Sequence, residues 1–301
     1  RLNQQIYKTN LLMRPVFAQA KKDIKRIVLA EGEDERMLHA AQQIVSQKLA
    51  YPILIGRKEI IEERLQAQGL TIQAGKDFDL VDLVDNPYYE ESWKTYYDLQ
   101  KRKGVTEEMA RRRMMANNTL IGASMVRLGH ADGMVAGVVG RFRDHFKIYE
   151  DVIGYDNPEQ NAFAMNALIS NKGNFFIADT YVIHDPTAEQ LAQGTLMCAK
   201  EIQRFGIKPK VALVSNSNYG THTDEDSVKR QQALQIVRKV DPDLEIDGEM
   251  QADAALDEKL RKQIFPETTL QGSANLLVMP NVEAANISYN LMRVNATNGI
   301  T

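Results

Sequence analysis

Apolar residues along this 301-residue chain fall into two rhythms, short continuous runs and runs spaced three and four apart, which predict strands alternating with helices. Arg26-Ile-Val-Leu-Ala30, rich in β-branched residues and closed by Glu31-Gly32, predicts a buried strand. Asp34 is placed to cap a helix in which Met37, Leu38, Ala41, Ile44 and Val45 share one face. Tyr51 to Gly56 predicts another strand and Lys58 to Gln68 another helix, so this part reads β-α-β-α and implies a parallel sheet. Upstream, Leu2 to Ala20 reads as helical segments kinked or separated at Pro15 and packing on the lobe that follows.

From Asp77 to Lys103 the pattern is a loop and then a helix, its aromatics serving for packing. Thr106 caps a helix whose Arg111, Arg112 and Arg113 form a solvated face. Asp132 to Gly140 predicts a strand crowded with small residues, followed by a basic turn. Turn formers cluster from Gly154 to Pro158, and a second alternating series follows. It comprises strand 174–178, helix 187–205, strand 210–214, helix 226–240, strand 244–246, helix 251–264 and strand 275–279.

The pattern predicts an α/β protein of two lobes, each a mostly parallel sheet flanked by helices in three layers. The expected divisions are entry helices at 1–20, a first lobe at 21–155, a second at 156–294, and the start of a return to the first lobe at 295–301.

Composition narrows the function classes. Hydrophobic residues at 44% and charged residues at 26% are those of an ordinary globular protein with sizeable cores. A net charge of -3 argues against a general nucleic-acid binder, whose affinity rests on basic surface. The single cysteine, Cys198, excludes an internal disulfide and a zinc-thiolate cluster and fits a reducing, cytoplasmic location. No stretch reaches the roughly 20 apolar residues of a membrane span, and neither a Walker nor a standard dinucleotide motif is present. Metal ligands are not expected, since the five histidines show no metal-binding spacing.

Parallel sheets bind ligands beyond the carboxyl ends of their strands, and three such loops are candidates. Arg141-Phe-Arg-Asp-His-Phe-Lys147 sets Arg141, Arg143 and Lys147 beside flexible backbone. Those charges suit a phosphate or a solvated turn about equally, and their position favours binding. Ser215-Asn-Ser-Asn-Tyr-Gly-Thr-His222 offers Ser215, Ser217, Asn218 and Gly220 to a polar ligand, although turn formation explains the same residues. Asp247-Gly-Glu-Met-Gln-Ala-Asp253 brings carboxylates to the start of a helix, where the helix dipole already accounts for negative charge.

Four blocks resemble, in order, signatures of the phosphate acetyl/butyryltransferase family. They are Lys103-Gly-Val-Thr106, Gly129-His-Ala-Asp-Gly-Met-Val-Ala-Gly137, Ile246-Asp-Gly-Glu-Met-Gln-Ala-Asp-Ala-Ala255 and Gly272-Ser-Ala-Asn-Leu-Leu-Val-Met-Pro-Asn281. Three further stretches look like the version of that family fused behind malic enzyme. These are Tyr7-Lys-Thr-Asn-Leu-Leu-Met-Arg-Pro-Val-Phe17, Phe176-Ile-Ala-Asp-Thr-Tyr181 and Glu283-Ala-Ala-Asn-Ile-Ser-Tyr-Asn-Leu-Met-Arg-Val294.

The resemblance implies an isocitrate/isopropylmalate dehydrogenase-like fold, acetyl-CoA or CoA as ligand, and a homo-oligomer formed through the second lobe. It also implies an amino-terminal malic enzyme region carrying NADP and a divalent metal. The family holds phosphate with arginines. Here Phe146-Lys147-Ile148 stands where the transferases have Leu-Arg-Pro, Leu99-Gln100 stands for Leu-Arg, and Arg293 lies at or beside a third arginine position. The Ser-Arg-Gly stretch and its acidic neighbour, which would hold the catalytic residues, are expected beyond Thr301. The expectation is therefore a module that senses acetyl-CoA for a decarboxylating malic enzyme and has lost acetyl transfer. The alternatives are a working phosphate acetyltransferase and an oligomerisation platform without ligand.

Overall fold

The structure, a computed structural model, describes residues 2–157, 160–170 and 173–295. The chain divides into one unit of Phe17–Pro158 and another formed by the described residues of Arg1–Val16 and Glu159–Thr301. The chain opens with α1 (Leu2–Ala20), one helix that runs through Pro15 rather than stopping at it. Its residues up to Val16 group with the second unit and not, as expected, with the lobe that follows. Leu12 is buried, and Pro15 lies 3.7 Å from where a side chain would start at Gly206. The expected return segment at 295–301 lies outside the described residues after Asn295.

The first unit contains β1 (Arg26–Leu29), α2 (Glu35–Gln47), β2 (Tyr51–Ile55), α3 (Lys58–Ala67) and β3 (Asp79–Val81), then α4 (Tyr89–Gln100), α5 (Glu107–Ala116), α6 (Asn118–Arg127), β4 (Gly133–Val135) and α7 (Phe142–Ile148). Its sheet, ordered β3-β2-β1-β4, is parallel throughout. Successive strand residues point to opposite faces, so Val28 and Ile53 enter one core with Trp93, Met114 and Ile121. Leu29 and Leu54 enter another with Leu38, Ile61 and Phe78. Asp34 accepts from the backbone N–H of Arg36 and Thr106 from that of Met109, as the capping pattern predicts.

Four features of this unit differ from the sequence expectation. Strand β3 and the buried helix α6 are not expected from the sequence, because β3 is only three residues long and α6, buried from Thr119 to Met125 with its small polar residues included, shows no apolar stripe. The Asp132–Gly140 stretch is strand only over β4, since Gly137 and Gly140 turn the chain with φ of 104° and 105°. The basic turn that should follow is helix α7.

The second unit contains β5 (Met165–Ser170), β6 (Gly173–Ala178), α8 (Ala188–Arg204), β7 (Lys210–Val214), α9 (Glu225–Val240), β8 (Glu245–Met250), α10 (Ala252–Leu256), α11 (Glu258–Ile264), β9 (Leu276–Val278) and α12 (Val282–Asn295). The sheet order is β5-β6-β9-β7-β8, with only β5 antiparallel. Val211, Leu213, Leu276 and Val278 face α8 and α9. Ala212, Val214, Leu277 and Met279 form the opposite core with α10 and α12 residues. The predicted helix 251–264 is broken at Asp257, whose carboxylate caps α11 through the N–H groups of Lys259 and Leu260.

Candidate functional site

The two groups of candidate residues lie in different units. In the first, the carboxyl ends of β1 and β4 carry Glu31 and the Gly137–Gly140 turn, and α7 follows. The Glu31 carboxylate accepts the Gly137 N–H at 2.8 Å. His145 pairs with Thr119 Oγ1 at 2.8 Å and with the Val139 carbonyl at 2.8 Å. The carbonyl can only accept, so Nε2 carries the proton, and Nδ1 accepts from the Thr119 hydroxyl when the ring is neutral. A Cβ at Gly140 would stand 2.9 Å from Nε2, so the close approach of His145 depends on glycine. His145 is therefore a strut that shapes the turn.

At the start of α7, Arg141 (its N-cap) and Arg143 are exposed, and among the described residues neither forms an ion pair. Lys147 differs. Its Nζ lies 3.0 Å from the Asp151 carboxylate, which Lys103 also reaches at 3.1 Å. The buried Gln100 amide donates to the Asp151 carbonyl at 2.8 Å. Two cations and the glutamine thus converge on one residue that sequence reasoning did not single out.

Burial alone would push the Asp151 carboxyl up, but the bonds from Lys147 and Lys103 outweigh it and hold the group below its ordinary value. Such a group stabilises the fold fully above about pH 4, the ordinary carboxyl value, and the contribution is lost as the pH falls through the lower folded value. Asp151→Asn should therefore lower the melting temperature at neutral pH, with the gap to the parent closing in acid. A gap of equal size at every pH would remove this account of the network.

In the second unit, the loop after β7 brings Ser215, Ser217, Asn218 and Gly220 together, but their polar groups are largely spent inside the protein. The Ser217 hydroxyl donates to Glu249 at 2.9 Å, and the Gly220 N–H donates to the same oxygen at 2.7 Å. Asn218 exchanges bonds with Gln251 at 3.1 and 2.9 Å, and Ser215 accepts from the Ser217 N–H at 3.2 Å. Arg293, exposed on α12, lies 5.6 Å from the Tyr289 ring.

The third candidate stretch is corrected more sharply. Asp253 does lie in the first turn of α10, but Asp247 and Glu249 do not sit at a helix start. They lie within β8, 3% and 0% exposed. Asp247 accepts from Thr268 Oγ1 at 2.6 Å, the Thr269 N–H at 3.0 Å and Arg238 at 3.2 Å. The register of β8 against β7 shifts at Glu249, so strand alternation does not carry through Asp-Gly-Glu and gave no periodic signal there.

The family model for phosphate acetyl/butaryl transferases matches residues 11–299. The chain belongs to that family. It is 32% identical to a phosphate acetyltransferase of Acetivibrio thermocellus, covering 93% of this chain and 84% of that protein. It is 52% identical over its full length to an NADP-dependent malic enzyme of Escherichia coli (strain K12), and 51% identical to one of Salmonella typhimurium. The match falls in the carboxyl-terminal part of those malic enzymes, and this chain spans 40% of their length. In fold it matches the EutD phosphotransacetylase of Staphylococcus aureus with a TM-score of 0.84, at 28% identity, covering 98% of this chain and 88% of that one. Among the described residues, no helix is long and apolar enough to cross a membrane.

Proposed function

We propose that this chain is the acetyl-CoA-sensing part of an NADP-dependent, decarboxylating malic enzyme and has given up acetyl transfer. The observation that carries the reading is the division of labour around α7. Lys147 and Gln100 occupy positions where the resemblance places phosphate-holding arginines, and both are committed to Asp151. A lysine also lacks the two-pronged fork that grips phosphate. Arg141 and Arg143, exposed nearby, are the residues fit to meet the phosphates of acetyl-CoA by charge-assisted hydrogen bonds.

In this reading NADP, a divalent metal and malate belong to the remainder of the polypeptide. Acetyl-CoA then changes malate oxidation only by binding two states of the whole enzyme unequally. The test is a titration of the full polypeptide's malic activity with acetyl-CoA. The parent should respond, Arg141→Ala with Arg143→Ala should need about tenfold more ligand, and no acetyl phosphate should form from acetyl-CoA and phosphate. Coincident curves for parent and variant would remove these arginines from the site, and acetyl phosphate formation would restore the transferase reading.

Self-association through the second lobe belongs to the same proposal. Helix α12 presents Ile287, Leu291 and Val294, each more than half exposed, at helical spacing. Leu291→Asp should shift the chain to a smaller species on sedimentation, and an unchanged mass would exclude this face.

A further inference from the structure

Polar side chains meet inside the second unit where the first turns of α9 face the carboxyl end of β8. They are Ser217, Ser227, Arg230 and Glu249, none more than 5% exposed. The Ser227 hydroxyl lies 3.3 Å from that of Ser217, which donates to Glu249 Oε1 at 2.9 Å. Arg230 stands three residues beyond Ser227, and residues so spaced share one face of a helix. Gln231, next along, comes within 3.7 Å of where a side chain would start at Gly220, whose N–H also donates to Glu249 Oε1. This part of α9 therefore packs on Glu249 and on the loop that Glu249 holds.

The cluster is left open in one respect. Glu249 Oε2 is sealed from solvent and accepts no hydrogen bond from the protein, and Arg230 Nε and Nη1 are sealed likewise and donate none. Buried orphans of this kind cost on the order of 1–3 kcal/mol each, more when charged. Burial lowers the proton affinity of Arg230, and the carboxylates of Asp226, Asp224, Glu249 and Asp185 oppose that effect. Asp224 is spent on Ser227, and Asp185 and Asp226 on Lys229. Glu249 is thus the carboxylate around Arg230 with a sealed, unpaired oxygen. A free acceptor and free donors in one closed core are what an internal water satisfies, since it accepts and donates at once.

We propose that Arg230 is a positioning residue for the Ser217–Gly220 loop, linked to Glu249 Oε2 through internal water. The link balances the Glu249 charge and fixes the carboxylate so that Oε1 keeps both the Ser217 hydroxyl and the Gly220 N–H. It lies wholly within the second unit and stands or falls independently of the acetyl-CoA reading.

A high-resolution crystal structure of the chain should show water within hydrogen-bonding distance of both Glu249 Oε2 and Arg230 Nε or Nη1. A direct Arg230–Glu249 ion pair, or no such water, overturns the link. In solution, hydrogen exchange at the Gly220 N–H reports the loop. Exchange should be about tenfold faster in Arg230→Met, which fills the space without the charge, and near that of the parent in Arg230→Lys, which keeps the charge. Melting supplies a second reading. Arg230→Met combined with Glu249→Gln should lose less than the two single losses together, because removing one member alone leaves the other's charge unbalanced. Equal exchange in the Met and Lys variants, or strictly additive melting losses, removes Arg230 from this role.

Discussion

Arg261→Ala should lower stability by about 3–5 kcal/mol, the range for a side chain whose loss leaves both a cavity and unpaired buried groups. Arg261 is fully buried. Its Nη1 donates to the carbonyls of Ala254 and Ala255 at 2.8 and 3.3 Å, and its Nη2 to those of Leu270 and Gly272 at 2.9 and 2.5 Å. The guanidinium ties the short helix α10 to the segment leading into β9. Without it these carbonyls face one another across a void, although Ala255 keeps the N–H of Ala274. Arg261→Lys should recover only part of the loss, because an ammonium cannot fork to both sides. Urea denaturation followed by circular dichroism measures this, and a midpoint for Arg261→Ala within error of the parent would show that the carbonyls find other partners.

The second large effect is expected at Asp179, immediately after β6 and 5% exposed. One carboxylate oxygen accepts from the N–H groups of Ala164, Tyr181 and Val182 at 3.0, 3.1 and 3.1 Å, and the other from Ile183 at 2.8 Å. A negative group gathering backbone donors is a charge-assisted cradle. Asp179→Ala should cost about 3 kcal/mol or more, since four part-buried N–H groups lose their acceptor together. Asp179→Asn keeps one acceptor oxygen but sets an NH2 group against a remaining N–H, and should fall between alanine and parent. Equal losses for the two substitutions would mean that the cradle works through packing and not through hydrogen bonding.

Neither residue announces itself in the sequence. Arg261 sits in a charged stretch, Glu258 to Lys262, that reads as a solvated helix face. Its burial depends on the 270–272 segment crossing over it, which only the fold supplies. The same holds for Asp151. Its partners Gln100 and Lys103 are 51 and 48 residues away, and no local rhythm links positions so separated.

What the sequence determined by itself was everything that follows from periodicity and capping. The alternation of β-branched runs with helical stripes specified two parallel-sheet lobes, and Asp34 and Thr106 marked helix starts through bonds to N–H groups two or three residues on. The ordered motif blocks identified the family, a result the family match bears out. Tertiary structure decided what each charged group is for. Long-range contacts from Gln100 and Lys103 made Asp151 the centre of a network that also engages Lys147, four residues away, and the fold buried Asp247 and Glu249 within an edge strand. The physical reason is range. Helix and strand signals act over a few residues, whereas the energy of a charge depends on every group the fold brings near it and on how much water the fold excludes.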